Sequence, residues 1–353
     1  MKPRYSLASP HLFVAFLFIL VLMVTGCSGN SPGDPANSVQ KTLIATQTVP
    51  GLGTSTPEGL TPTIAVDREI YLGQPAPGLV PEMFLPGLVS TEGIELYLAL
   101  HPNLKEAYFT RVARGRSMIL VTYLEEDEWS EPVLAPFSSE FQDVGPFITP
   151  DGQRLYFWSN RPLTPTTPLL PKYQIWVVER DGNSWGEPRN LDMPIDSKDG
   201  EWDVSVTNNG HIYYMANYPS LGGPGLYMTQ EIEGVYQMPA KIDALSNQDP
   251  LIELEPVVSP DEGFIIFYSV GREDNLTPDG RVGDLYISFR QPSGKWSEPE
   301  NLGPSINSEA EEATPALSPY GRFLFFVSNR DAPTNFPDIY WVSMDAVLER
   351  AGE

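Results

Sequence analysis

The sequence predicts an all-β fold, a β-propeller of five four-stranded blades, and three observations predict it. Five segments share a turn marker followed by an aromatic run. The markers recur at 48, 58, 52 and 59 residues, and a strand missing at the C-terminal end is found near the N-terminal one. A period of that length fits a four-stranded blade better than any helical repeat.

The five marked segments are "HPNLKEAYF" (101–109), "TPDGQRLYFW" (149–158), "TNNGHIYYM" (207–215), "SPDEGFIIFY" (259–268) and "SPYGRFLFF" (318–326), with Pro102, Pro150, Asn208, Pro260 and Pro319 as markers. Each unit reads as four strands, A to D. Strand A approaches the marker and strand B is the aromatic run, ending in "WSNR" (158–161), "MANY" (215–218), "YSVGR" (268–272) or "FVSNR" (326–330). Strand C is "QIWVV", "GLYMT", "DLYIS" or "DIYWV", with "SMILV" (117–121) as the degenerate first copy. Strand D follows through Trp129-Ser-Glu-Pro, Trp185-Gly-Glu-Pro, Tyr236-Gln-Met-Pro or Trp296-Ser-Glu-Pro. Short aromatic and β-branched runs bounded by Gly, Pro, Asn and Asp are the pattern of strands and turns.

The fifth unit stops after its third strand, at "DIYWVSMDAVLER". Its fourth strand is expected upstream, in "PEMFLPGLVST" (81–91), where Thr91 precedes marker Pro102 by the 11 residues that also separate Ser139, Ser197 and Ser308 from theirs. An N-terminal strand completing the last blade closes the ring with no free edge. Six blades is the alternative count.

The repeat resembles the WD40-like propeller repeats of the TolB type, carried best by "TPDGQRLYFWSNR", "WGEPRNL", "WSEPENLGPSINS" and "SPYGRFLFFVSNRDAPTNFPDIYWV" over roughly Glu82 to Arg350. The resemblance implies a propeller that binds or scaffolds, because members share no common catalytic site. The six blades and separate α/β domain of TolB itself are not matched by this chain.

The N-terminus predicts export. Lys2 and Arg4 precede the apolar run "LFVAFLFILVLMV" (12–24), and "TGC" follows. A basic start, a short apolar stretch and small residues before a cut describe a signal peptide (1–26). Val24-Thr25-Gly26-Cys27 resembles a bacterial lipobox, which implies lipidation of Cys27, the only cysteine in the chain. The protein is therefore expected on the extracytoplasmic face of a bacterial membrane, without an internal disulfide. Residues 27–78, rich in Pro, Thr, Ser and Gly, read as a disordered linker, and 79–353 as the propeller.

The net charge is −24, and removal of Lys2 and Arg4 leaves the mature chain near −26. Such a surface repels phosphate backbones, so nucleic acid is excluded as a partner. A monomer is expected.

One stretch imitates catalysis. Gly182-Asn183-Ser184-Trp185-Gly186 spells G-x-S-x-G, but an elbow needs a helix after the serine, and Pro188 and Pro194 forbid one. In the repeat register Ser184 aligns with Glu128 and Lys295 on the turn between strands C and D, so it is read as a turn residue.

Seven residues before each marker stands an acid: Glu95, Asp143, Glu201, Glu253 and Glu312. These are candidates for an acidic rim that binds a cation or ligand at the channel mouth. The competing reading is that each caps backbone amides or pairs with an arginine of its own turn. Arg161, Arg272 and Arg330 are expected to form intrablade pairs, the last two with Asp284 and Asp338.

Features confined to one blade are where binding is sought. The strand B–C loop of unit two, "PLTPTTPLLPKYQ" (162–174), offers Leu163 and Tyr173, and that of unit four, "EDNLTPDGRVGD" (273–284), offers Asp274, Asn275 and Asp279. The latter lacks the bidentate Glu of an EF-hand, so calcium is the one candidate cofactor and no metal ligand is assigned. Trp202, beside Glu201, is a further rim candidate. His101 and His211 fall on separate turns and do not read as metal ligands.

The expected function is non-catalytic binding or scaffolding of an envelope protein, peptide or glycan, with no catalytic residue assigned. The alternative is a glycan-active hydrolase using two carboxylates at the channel mouth.

Overall fold

A computed structural model describes residues 68–348 apart from 165, 195–196, 246–251, 277–281 and 332–335. The signal segment, Cys27 and Asp279 lie outside the described residues. The chain forms five antiparallel sheets, each with its strands in the order A-B-C-D. Strand A comprises Ile94–Leu100, Asp143–Ile148, Glu201–Val206, Ile252–Val258 and Glu312–Leu317 in blades one to five. Strand B comprises Glu106–Ala113, Arg154–Ser159, His211–Tyr218, Phe264–Val270 and Phe323–Ser328. Strand C comprises Arg116–Glu125, Gln174–Asp181, Gly223–Ile232, Asp284–Phe289 and Asp338–Ser343. Strand D is two residues long in every blade, and in blade five it is Glu82–Met83, paired with Trp341 and Tyr340. The ring is a five-bladed propeller closed by its N-terminal strand.

The aromatic runs are strands because both faces of each sheet are covered. In strand B of blade two, Leu155, Tyr156, Phe157 and Trp158 are all buried. Successive strand side chains point to opposite faces. Leu155 and Phe157 accordingly join Tyr108, Ile119 and Val121 of blade one, while Tyr156 joins Val204, Val206, Ile212 and Tyr214 of blade three. A run apolar at every position thus serves two interfaces, which is why it lacks the polar–apolar alternation of a one-sided sheet.

The closing strand is followed by Phe84, which is fully buried and stands edge-on to Phe325 at 5.0 Å and Trp341 at 5.5 Å. Residues 70–75, ahead of the expected start at 79, form a hairpin of Ile70–Tyr71 and Gln74–Pro75. Tyr71 packs on Phe323 at 4.7 Å, and the Trp129 indole of blade one donates to the Leu72 carbonyl at 2.9 Å. The hairpin therefore bridges the seam between blades five and one. A single helical turn, Asp345–Leu348, ends the described chain.

Strand A carries one irregularity in every blade. Its pairing with strand B slips at Tyr97, Gly145, Asp203, Glu255 and Thr314, each with positive φ between 46° and 66°. These are bulges, which bend the inner strand and turn one residue out of the ladder.

Phe84→Ala removes the plug behind the closing strand. It is expected to lower the free energy of unfolding in urea by about 3–5 kcal/mol, as for other fully buried phenylalanines. A loss below about 1 kcal/mol would show that the N-terminal strand does not seal blade five.

Candidate functional site

The five acids before the markers sit at the first or second residue of strand A, and all are buried. Each is bonded within its own blade. Glu95 accepts from Thr91 N at 3.2 Å, Thr91 Oγ1 at 2.8 Å and Arg111 Nε at 2.7 Å. Asp143 accepts from Ser139 N at 2.9 Å, Ser159 Oγ at 2.7 Å and Arg161 Nη2 at 2.8 Å. Glu312 repeats the pattern with Ser308 N at 2.8 Å, Ser328 Oγ at 2.8 Å and Arg330 Nη2 at 3.0 Å. Arg272 reaches Glu253 at 3.0 Å. In blade three Tyr218 stands where the arginine would be and its hydroxyl donates to Glu201 at 3.3 Å. Burying a carboxylate is costly unless it is paired and hydrogen-bonded, and here strand B and the residues just after it, joined in blades one, two and five by the preceding loop, supply the partners.

The arginines thus form intrablade pairs as expected, but with the strand A acids. Arg272 and Arg330 reach back to the acid of strand A and not to Asp284 and Asp338 at the start of strand C. Asp284 Oδ2 accepts from Leu276 N and from Asn301 Nδ2. Asp338 is pushed up to about 6 by burial and by the neighbouring Glu95. The strand A acid wins because it lies across the ladder from the end of strand B, two residues before Arg330 and three before Arg272.

The loop candidates are spread out. Leu163 is 52% exposed, whereas Tyr173 stands edge-on to Trp158 at 4.7 Å. The Trp202 indole packs over Gly200, where an added Cβ would lie 3.1 Å from the ring and 2.7 Å from the Tyr173 carbonyl. Tyr173 and Trp202 thus meet at the seam of blades two and three. The Tyr286 hydroxyl lies 2.7 Å from Asp274 Oδ1 and 2.6 Å from Asn275 Oδ1, which share its one proton, and this ties the loop to its own blade. His101 lies beside the Gly152 carbonyl at 3.3 Å, and His211 pairs with Glu262. Among the described residues no group of three or more His, Cys, Asp or Glu side chains is placed to hold a metal ion.

The channel itself holds residues that the repeat reading passed over. The bulge positions line a narrow cavity of about 70 Å³ together with Pro146, Pro256 and Pro315. Their side chains differ in every blade: Tyr97, Gly145, Asp203, Glu255 and Thr314. The Tyr97 hydroxyl donates across the channel to Asp203 Oδ1 at 3.0 Å, and the Thr314 amide donates to Glu255 Oε2 at 2.6 Å. At Gly145 a Cβ would lie 2.3 Å from Nε1 of Trp158, so that indole takes the place of a side chain. The Trp158 N–H and the Thr314 hydroxyl are both buried without a hydrogen-bond partner.

Asp203 and Glu255 keep a little surface toward the cavity, yet protein surrounds them and they lose most of their hydration. Burial pushes Asp203 up to about 7, with the Tyr97 hydroxyl and the Glu255 amide offsetting part of the effect. Glu255 is held well above the usual carboxylate range, first by burial and then by the charge of Asp203. Nearby Glu311, which accepts from the Tyr268 hydroxyl at 2.9 Å, is also raised by burial. Each carboxyl raises the other's affinity for protons, so the two titrate as a pair. The signal that could have found them is a column two residues beyond the strand A acids, three times followed by proline and never twice the same residue.

No family model matches the chain, and no curated protein matches it. Among solved structures it is similar to a putative TolB from Agrobacterium tumefaciens (16% identity over 72% of this chain and 79% of that one, TM-score 0.44). It is also similar to TolB from Acinetobacter baumannii (14%, 70% and 54%, TM-score 0.43), spanning about half of that protein, and to a glycoside hydrolase (9%, 72% and 89%, TM-score 0.46). At such identities a likeness concerns architecture alone, and what those proteins bind or cleave is a property of theirs.

The folded-state pKa of Asp203 lies above that of the unfolded chain, so the folded state binds the extra proton and stability falls as pH rises from about 4 to about 7. Asp203→Asn keeps the acceptor for Tyr97 and tolerates positive φ. Its stability by thermal unfolding is expected to match the wild type near pH 4 and to exceed it by a few kcal/mol, in order of magnitude, at pH 8. A wild type that gains on the variant with rising pH would mean that an opposite charge already holds Asp203 ionised.

Proposed function

We propose that the protein is a lipid-anchored, extracytoplasmic binding or scaffolding module that takes a cationic side chain of an envelope protein or peptide at its channel. The observation that carries this reading is the bulge column. One backbone geometry recurs in five blades, but the residues on it are a tyrosine, a glycine, two acids and a threonine. A feature required by the fold repeats, as the buried strand A acids do. A recognition surface has no reason to repeat.

Strain supports the same reading. Thr314 is β-branched and holds φ at 46°, a conformation such residues rarely adopt, while its hydroxyl finds no partner. Strained residues that the surroundings over-determine gather at ligand sites. The chemistry of the ligand follows from Asp203, Glu255 and Glu311. An arriving ammonium or guanidinium supplies the counter-charge that lets a carboxyl ionise in a dry site. The whole chain's charge of −24 draws such a partner in.

Hydrolysis of a glycan is the weaker reading. It needs a sugar held between two carboxyls. A cavity of about 70 Å³ takes a few waters or the head of one side chain. The anchor rests on Lys2, Arg4, the apolar run and Cys27; among the described residues no helix is long and apolar enough to cross a membrane.

Solubilised envelope passed over the immobilised mature protein should yield a partner that the Asp203→Asn, Glu255→Gln double variant recovers at least tenfold less well. Equal recovery would defeat the channel reading, and release of reducing sugar from envelope glycans by the wild type alone would replace binding with hydrolysis. Radiolabelled palmitate should enter the wild type and not Cys27→Ala; label in both would place the anchor elsewhere.

A further inference from the structure

The face opposite the B–C loops carries the A–B turns and the C–D hairpins, and its seam between blades two and three differs from its neighbours. In the seam of blades one and two, the Trp185 indole donates to the Tyr108 hydroxyl at 2.8 Å. Arg180 lies over that indole at 4.8 Å and forks onto Glu106 at 2.7 and 3.0 Å. In the seam of blades three and four, Trp296 stands edge-on to Tyr213 under Arg290 at 5.0 Å. The register pairs Arg180 with Trp185, Arg290 with Trp296 and, in blade three, Glu231 with Tyr236. The arginine–indole plug of the other two seams is therefore replaced by a glutamate and a smaller ring.

Glu231 is instead paired with Arg154 of blade two at 2.7 Å. Beside that pair opens a cleft of about 570 Å³, lined by Asp151, Arg154, Tyr156, Asn208, Glu231 and Glu233. That volume is within the range of ligand sites, roughly 300–1,000 Å³. The Tyr236 ring is buried in the same seam, against Tyr156 and Ile212.

The hairpin beside the cleft departs in a second way. The paired positions Glu125 and Glu128 in blade one, and Asp181 and Ser184 in blade two, are Ile232 and Val235 in blade three. The acid of Glu131, Glu187 and Glu298 is Met238. Ile232, Val235 and Met238 are 47%, 63% and 56% exposed. Apolar residues gathered at positions that sister blades keep polar mark an interaction surface. Asp151 and Glu233 have no basic partner within ion-pair distance among the described residues, so the cleft rim is acidic.

We infer that this cleft binds an extended peptide segment of a partner protein that places an aromatic side chain in the seam and a basic one beside Glu233 and Asp151. The aromatic ring completes the plug that the neighbouring seams build from their own chain. The hairpin's Val235 and Met238 cover the peptide's flank, and the acidic rim selects its charge.

The test is fluorescence polarisation with the mature protein and a labelled, amidated hexapeptide Ala-Trp-Arg-Trp-Lys-Ala, beside counterparts with Glu for both basic residues or Gly for both Trp. The first peptide should bind at least about tenfold more tightly than either counterpart, about 1.4 kcal/mol. Val235→Ser with Met238→Ser, both on the surface and harmless to the core, should weaken it by at least the same factor. Glu231→Arg with Tyr236→Trp, which rebuilds the neighbouring plug, should abolish binding. Indifference to charge or to the serine pair, or the absence of saturable binding, would overturn the proposal.

Discussion

Every blade of this protein is apolar on both faces, and that constraint governs the rest. A sheet with Leu155 and Phe157 on one side and Tyr156 on the other buries neither side alone. Hydrophobic burial is the main favourable term in folding, and here it is available only between neighbours. A row of such sheets would leave two bare apolar ends, and a ring leaves none. Closure is thus a requirement of the composition of strand B, and the two-residue outer strands keep the sheet edges too short to template another chain.

Within the closed ring, two kinds of position lie two residues apart on strand A and have opposite logic. The acid that opens the strand is buried; in blades one, two and five it is hydrogen-bonded by the preceding loop, and in four blades it is held by an arginine in strand B or just beyond its end. It fastens the inner strand to its own blade. The bulge residue just beyond it projects into the channel with no such duty, so its identity is free to vary. The five acids repeat in chemistry, and the five bulges repeat only in shape. Three successive outer seams show the same contrast: an arginine lies on an indole between blades one and two and between blades three and four, and between blades two and three Glu231 and Tyr236 leave a cleft.

This contrast also explains what could be read from the residues. The blade count, the order of strands and the donor of the closing strand were legible because they rest on a periodic pattern of aromatic runs and turn residues. Ser184 pairs with Asp181 beside the turn and does not sit on the turn itself, but its place on a strand C–D hairpin was legible because sister blades put Glu128 and Lys295 in its register. The partners of Arg272 and Arg330 were not, because proximity along the chain favoured Asp284 and Asp338, whereas the ladder brings Glu253 and Glu312 across to them. Asp203 and Glu255 were hidden for a different reason. A bulge depends on register between strands, and a column that never repeats leaves no periodic trace. The raised pKa values follow from enclosure by five blades, which no local window contains.

The closing strand has one more consequence. Glu82 and Met83 join the ring through a pairing of two residues with Trp341 and Tyr340, and the chain before them passes through the hairpin at Tyr71 that rests on Phe323. A pull applied at the N-terminal end of this domain is therefore delivered to the seam where the ring was joined. The hairpin stands in front of that seam and takes the load first, through Tyr71 and through the bond from Trp129 to Leu72. The hairpin around residues 70–75 thus stands between the closing strand and any pull on the chain ahead of it.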